Sequence, residues 1–212
     1  MHRSPARCAA AAAFLFLFTA SAAAQRGGQE NEQQDPHERS GAPRESVNCF
    51  EFAISGDGLW VAYRDAFHRG SGYSTLGFLA SQDDDHVLSG RIMRFGEPSS
   101  ETPLGLGIGL GLLAATIDDP DSEAFAVTIT GSIDWNLGIE YPTRIGIDMT
   151  YAPDVAAFSD AEEVLDVLGR VELDLSTWAT AFVGYRHFEM DLDEGGEHDL
   201  DTSLQGGVRL GF

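Results

Sequence analysis

From Val47 to Phe212 apolar residues alternate with small or polar ones, and before Val47 they do not. The clearest stretch is FAVTITGSIDWNLGI, Phe125 to Ile139. Phe125, Val127, Ile129, Gly131, Ile133, Trp135, Leu137 and Ile139 share one face, and Ala126, Thr128, Thr130, Ser132, Asp134, Asn136 and Gly138 share the other. A period of two is the signature of a strand with two unlike faces. It holds here for fifteen residues. Globular strands usually run about 5–6 residues, whereas tilted strands that cross a bilayer need about 9–11.

The pattern recurs. IGIDMTY sets Ile145, Ile147, Met149 and Tyr151 against Gly146, Asp148 and Thr150. VLDVLGRVELDL sets Leu165, Val167, Gly169, Val171, Leu173 and Leu175 against Asp166, Leu168, Arg170, Glu172 and Asp174. LDTSLQGGVRLGF sets Leu200, Thr202, Leu204, Gly206, Val208, Leu210 and Phe212 against Asp201, Ser203, Gln205, Gly207, Arg209 and Gly211. LGLGIGLGLLAA puts leucine and isoleucine on one face and Gly105, Gly107, Gly109 and Gly111 on the other. A membrane helix is the rival for that stretch, but it falls short of the roughly 20 residues a helix needs, and each interior glycine would cost about 1 kcal/mol against alanine. A strand is expected, its glycines leaving room for long side chains from its neighbours.

About ten strands are predicted, over 47–54, 58–66, 72–81, 86–96, 104–117, 123–139, 143–152, 163–176, 178–190 and 200–212. The first may merge with the second, and eight is the alternative count. Strung as an antiparallel meander, the connections alternate between two ends. SGDG, QDDDH, DDPDSE, PDVAAFSDAE and DLDEGGEHD fall at one end, and FHRGSG, GEPSSETP, EYPT and LST at the other. The acidic clusters sort to a single end, which supports both the count and the up-and-down order.

Alternation does not say which face points inward. A soluble barrel would turn its apolar face to a ligand. Here the polar face carries Asp134, Asp148, Asp166, Arg170, Glu172, Asp174, Arg186 and Arg209 among many Gly, Ser and Thr. These suit an ion-paired filling of a narrow barrel, since unpaired charges there would be costly. Aromatics mark the strand ends: Phe125 and Tyr151 at the acidic end, Trp135, Trp178, Tyr63 and Phe212 at the other. Such girdles border the apolar band of membrane barrels. Closure is required too, because a sheet edge would leave backbone groups unpaired in hydrocarbon. The expected fold is therefore all-β, an antiparallel up-and-down transmembrane β-barrel over 47–212.

The first 24 residues read as a secretory leader: Arg3 and Arg7, an apolar run, then SAAA before Gln25. Residues 25–46 lack large apolar residues and read as a disordered periplasmic tether. Loss of Arg3 and Arg7 moves the formal charge from −21 to −23. So acidic a chain excludes nucleic acid as a partner, whose affinity comes from lysine and arginine on phosphates. Cys8 precedes the apolar run, so Cys49 is the one cysteine left and no internal disulfide is expected. Phe212, with Leu210 and Val208 on its face, reads as the terminal signal for outer-membrane assembly machinery, which implies a Gram-negative source.

DDDHVLSGRIMRFGE, YAPDVAAFSDAEE, FVGYRHFEMDLDEGG and GGVRLGF, in this order, resemble the YfaZ-type outer-membrane proteins over about residues 47–212. The resemblance implies a small, porin-like outer-membrane barrel with no established chemistry, and it supplies no catalytic residues.

Three places carry residue types that could support chemistry. Asp83, Asp84, Asp85 and His86 have the residue types of barrel proteases, yet such catalysis needs a second facing carboxylate pair and a positioned water. His187 and His198 lack a serine at a telling spacing, as a lipase or deacylase would need. DDPDSE and DLDEGGEHDLD offer oxygen ligands for calcium or magnesium but fit no twelve-residue loop pattern; solvated loops, bridging divalent ions to lipopolysaccharide phosphates at most, are expected. GYRHFE puts Phe188 and Met190 on the face of Arg186, so either a bulge shifts the register or the lumen is partly apolar. The sequence thus predicts no catalytic, cofactor or metal site. Its expected partners are outer-membrane lipid, lipopolysaccharide and the assembly machinery, and the expected state is a monomer. The expected role is structural or porin-like, passing small solutes at most. A barrel enzyme, or a plugged barrel for adhesion or envelope integrity, is the alternative.

Overall fold

The computed structural model describes residues 48–67, 72–96, 104–118, 122–138, 142–193 and 196–212. The leader, the tether and most of the connections without acidic clusters lie outside the described residues. The strands are β1 (Cys49–Ser55), β2 (Gly58–Phe67), β3 (Gly72–Ser81), β4 (His86–Phe95), β5 (Leu104–Ile117) and β6 (Ser122–Asn136). They continue as β7 (Thr143–Ala152), β8 (Ala157–Ser159), β9 (Ala161–Asp174), β10 (Ala179–Leu192) and β11 (Gly196–Gly211).

Each long strand pairs antiparallel with the next, and β1 pairs with β11 from Cys49↔Gly211 to Ser55↔Gln205. The sheet therefore closes as a ten-strand barrel, with the three-residue β8 as an addition. Ten residues at about 3.4 Å each, tilted about 40°, rise about 26 Å, close to the height of an outer-membrane apolar band. We name the two ends the acidic end, which carries the turns at 56–57 and 82–85, and the terminal end, where β1 begins and β11 finishes.

The expected faces hold. Ile54, Ile92, Ile108, Leu110, Ile129, Val183 and Leu204 are each more than half exposed on the outside. That belt runs round the wall, far beyond the few hundred Å² of contiguous apolar surface that a soluble monomer usually shows. At the terminal end Phe50 stacks with Phe212 at 5.7 Å and meets Tyr63 at 5.2 Å between ring centroids. At the acidic end Phe125 faces Phe158 at 6.2 Å.

Three departures from the sequence reading have local causes. First, 153–162 was expected to be a plain connection. β7 begins pairing with β6 only at Ile129↔Tyr151, which leaves the start of β6 without that neighbour. β8 fills the gap through Ala126↔Ala157 to Ala124↔Ser159, and an otherwise bare edge is covered. Second, DLDEGGEHD is mostly strand, since β10 runs to Leu192 and β11 starts at Gly196. Third, Leu200 was expected outside. The register steps from Phe188↔Asp201 to Glu189↔Asp199, so Leu200 is the extra residue of a bulge. It turns inward, and both Leu200 and Asp201 are buried.

Candidate functional site

What the barrel encloses decides what it can do. The inner wall falls into two layers, each built by the inward positions of many strands.

Toward the acidic end the inner positions are apolar. Leu79, Val87, Leu113, Ile117, Val164, Phe188, Met190, Leu192 and Leu200 form one buried cluster with several alanines, and Trp60 packs against it. Both explanations offered for GYRHFE therefore apply: the lumen is partly apolar, and a bulge follows directly after Phe188. Such an apolar layer offers ordered water few partners, because a water needs two to four polar ones.

Toward the terminal end the inner positions are ionic. Arg170 contacts Asp148 at 2.9 Å and Glu172 at 2.7 Å. Asp148 Oδ2 and Arg170 Nε make no aligned hydrogen bond, so these contacts are ion pairs. Arg209 donates to Glu51 at 2.7 Å and to Glu172 at 3.1 Å. Arg144 lies 3.0 Å from Glu172 and 3.8 Å from Asp174, which accepts a hydrogen bond from Thr180. Arg64 lies 3.8 Å from Glu51 and over the ring of Tyr73. Between the layers Arg186 grips Asp166 with two bonds of 2.9 Å. Its guanidinium also lies 4.7 Å from the centre of the Phe188 ring and 4.9 Å from that of Trp60. Trp60 Nε1 donates to Glu51 at 3.2 Å, which ties the middle to the terminal layer.

All eight charged residues singled out in the sequence face the lumen. Seven of them join these pairs, and Asp134, set against Gly105 and Gly146, makes no ion pair within 4.0 Å among the described residues. Glu51, Arg64, Arg91, Arg144 and Asp201 were not singled out. Their signal was available in alternation, as in Cys49, Glu51 and Ala53 against Phe50, Phe52 and Ile54. Among the described residues, the ionic layer and the middle hold seven acids (Glu51, Asp134, Asp148, Asp166, Glu172, Asp174, Asp201) and six arginines (64, 91, 144, 170, 186, 209), and the buried Asp85 makes a further pair with His198 at the acidic end. The lumen is nearly balanced within a chain of formal charge −21.

Glycine makes this filling fit. A Cβ on Gly77 would collide with the Trp60 ring, and one on Gly109 with Met93, whose side chain enters the lumen from the neighbouring strand. A cavity of about 40 Å³ remains between the layers, lined by Glu51, Arg91, Asp148 and Arg186 below and by Val87 and Phe188 above. It has room for a few water molecules.

The other candidates scatter. Asp83 and Asp84 are exposed on the β3–β4 turn, with Asp84 in the left-handed region at φ 63°. Asp85 is buried and accepts from the Asp118 amide at 3.0 Å, while His198 Nε2 lies 2.9 Å from its carboxylate. His86 points outward beside Phe78. The four residues of DDDH therefore make no facing pair. His187 lies on the outer wall against Glu189 and Thr202. In DDPDSE, residues 119–121 lie outside the described residues. Val208, Leu210 and Phe212 all face outward.

No family model matches the chain, and no curated protein sequence matches it. Among solved structures it is similar to one titled "KdgM porin", at 9% identity over 79% of this chain and 99% of that one, with a TM-score of 0.42. Likeness of that degree carries no functional argument.

Proposed function

We propose that this chain is an outer-membrane β-barrel of a Gram-negative envelope, sent there by a cleaved leader, porin-like in architecture and structural in role. On this reading the YfaZ-type resemblance extends to residues 47–212, and the terminal Phe212 with Leu210 and Val208 addresses the chain to the assembly machinery. The observation that carries the proposal is the filled lumen: an apolar layer stacked on a nearly neutral ionic one, inside a wall whose outer face is hydrocarbon-like. An eight-strand barrel is just filled by side chains, and ten strands leave little more. Here Trp60, Phe182, Phe188, Met93 and the arginines occupy the difference. Solute passage is then limited to water at most, and the barrel serves as an envelope component whose acidic end meets lipopolysaccharide. Planar-bilayer recording of the purified protein tests this. Silence is expected at voltages below those that damage the bilayer. A steady cation-selective current would overturn the filled-lumen reading, and solubility without detergent would overturn the membrane one.

A further inference from the structure

We propose that the outer wall carries a binding site for a divalent transition-metal ion, formed by His187, Glu189 and Asp199. One ligand atom from each lies within 4.8 Å of the others. His187 and Glu189 are two apart on β10, so both side chains leave the same face. Asp199 is brought opposite Glu189 by the bulge. Without the extra residue, Leu200 would stand there and Asp199 would turn to the other face. A bulge re-aims side chains in this way.

The imidazole is oriented from behind. Thr202 Oγ1 donates to Asp199 Oδ1 at 3.2 Å and lies 3.0 Å from His187 Nδ1. A hydroxyl has one proton. With that proton directed at Asp199, Nδ1 is the donor, and in the neutral ring the Nε2 lone pair then points at Glu189 Oε2, 3.0 Å away. A lone pair facing a carboxylate oxygen is repulsive unless a proton or a metal ion lies between them, and at this position a metal ion can replace the proton. Two ligands at about 2.0–2.1 Å from a tetrahedral ion sit about 3.4 Å apart, so small rotations of His187 and Glu189 admit one. An imidazole whose other nitrogen donates to an oxygen is oriented as the ligand histidines of such sites usually are. One nitrogen and two carboxylate oxygens suit zinc, cobalt or manganese, whereas calcium and magnesium take all-oxygen shells. Three protein ligands leave a position for water.

The site sits where the apolar belt gives way. Tyr185 and Leu204, the next outward positions on β10 and β11, are 51% and 70% exposed.

The probes are zinc and cobalt(II), titrated into the full chain in detergent after chelator treatment. One equivalent is expected, with cobalt giving visible absorption bands of a low-coordinate ion. His187→Gln, Glu189→Gln and Asp199→Asn should each weaken binding at least tenfold, and Thr202→Val by about tenfold. Retained heat-modifiable gel mobility shows that each variant is folded, and two substitutions at separate ligands keep the test decisive if a third fails to fold. No saturable binding, binding unchanged in these variants, or equal loss in an Asp83→Asn/Asp84→Asn control would overturn the proposal.

Discussion

Replacing Arg170 by methionine separates a dry lumen from a wet one. Arg170 is buried and touches two carboxylates. Glu172 would keep Arg209 at 3.1 Å and Arg144 at 3.0 Å. Asp148 has no second ion pair within 4.0 Å among the described residues, so the substitution leaves one buried carboxylate uncompensated. In a filled lumen that costs about 3–5 kcal/mol. In a water-filled channel the same pair would be screened and worth about 0–1 kcal/mol. The assay is urea unfolding in lipid vesicles, followed by tryptophan fluorescence and gel mobility. At a slope of about 2 kcal/mol per molar, a 4 kcal/mol loss moves the midpoint by about 2 M. Adding Asp148→Asn removes the stranded charge and should restore most of the loss, giving strong coupling between the two sites. A midpoint shift of Arg170→Met below about 0.5 M, with the two substitutions additive, would refute the filled lumen.

Other outcomes follow from the same packing. Cys49, 3% exposed inside the terminal end, should resist a maleimide in the folded barrel and react after boiling; rapid labelling before boiling would show that end to be open. Gly77→Val drives a side chain into the Trp60 ring and should cost about 1–3 kcal/mol with a change in tryptophan emission, while Gly131→Val, with nothing within 4 Å, should not. Phe212→Ser removes a ring that stacks on Phe50 at 5.7 Å, worth about 0.5–1.5 kcal/mol. Its yield in the outer membrane should fall far more than its stability after refolding, and equal falls would remove the case for an assembly signal.

The wall was legible because alternation survives any local noise once a strand is long. β5 and β7 start and stop at the residues the alternation marked, 104–117 and 143–152. Parity gave the face of each side chain but not its height in the barrel. Phe188 and Met190 looked anomalous beside Arg186 for that reason. They belong to an apolar layer gathered from many strands, of which one strand shows only two or three members. The pairs were illegible for a related cause: Glu51 and Arg209 are 158 residues apart, and Asp85 and His198 are 113 apart. The bulge was hidden as well. A single slipped residue flips every later side chain, so Leu200 read as outward and Asp199 as an ordinary loop acid.

The distribution of charge now has a physical reason. Burying a carboxylate is costly unless a cation compensates it, and among the described residues of the ionic layer and the middle seven acids stand against six arginines. Almost none of the formal −21 can therefore reside inside. Among the described residues much of the excess collects beyond the belt at the acidic end, as Asp83, Asp84, Asp154, Asp160, Glu162, Asp193, Glu197 and Asp199. A negative mouth above an open pore would concentrate cations and draw them through. On the filled-lumen proposal the layer of Leu79, Val87, Phe188 and Leu200 prevents this, because those side chains offer a cation no oxygen to exchange for water. On that proposal the field of the rim acts sideways and outward, on cations that meet the wall. There His187 turns its ring nitrogen toward a carboxylate that already needs a positive partner.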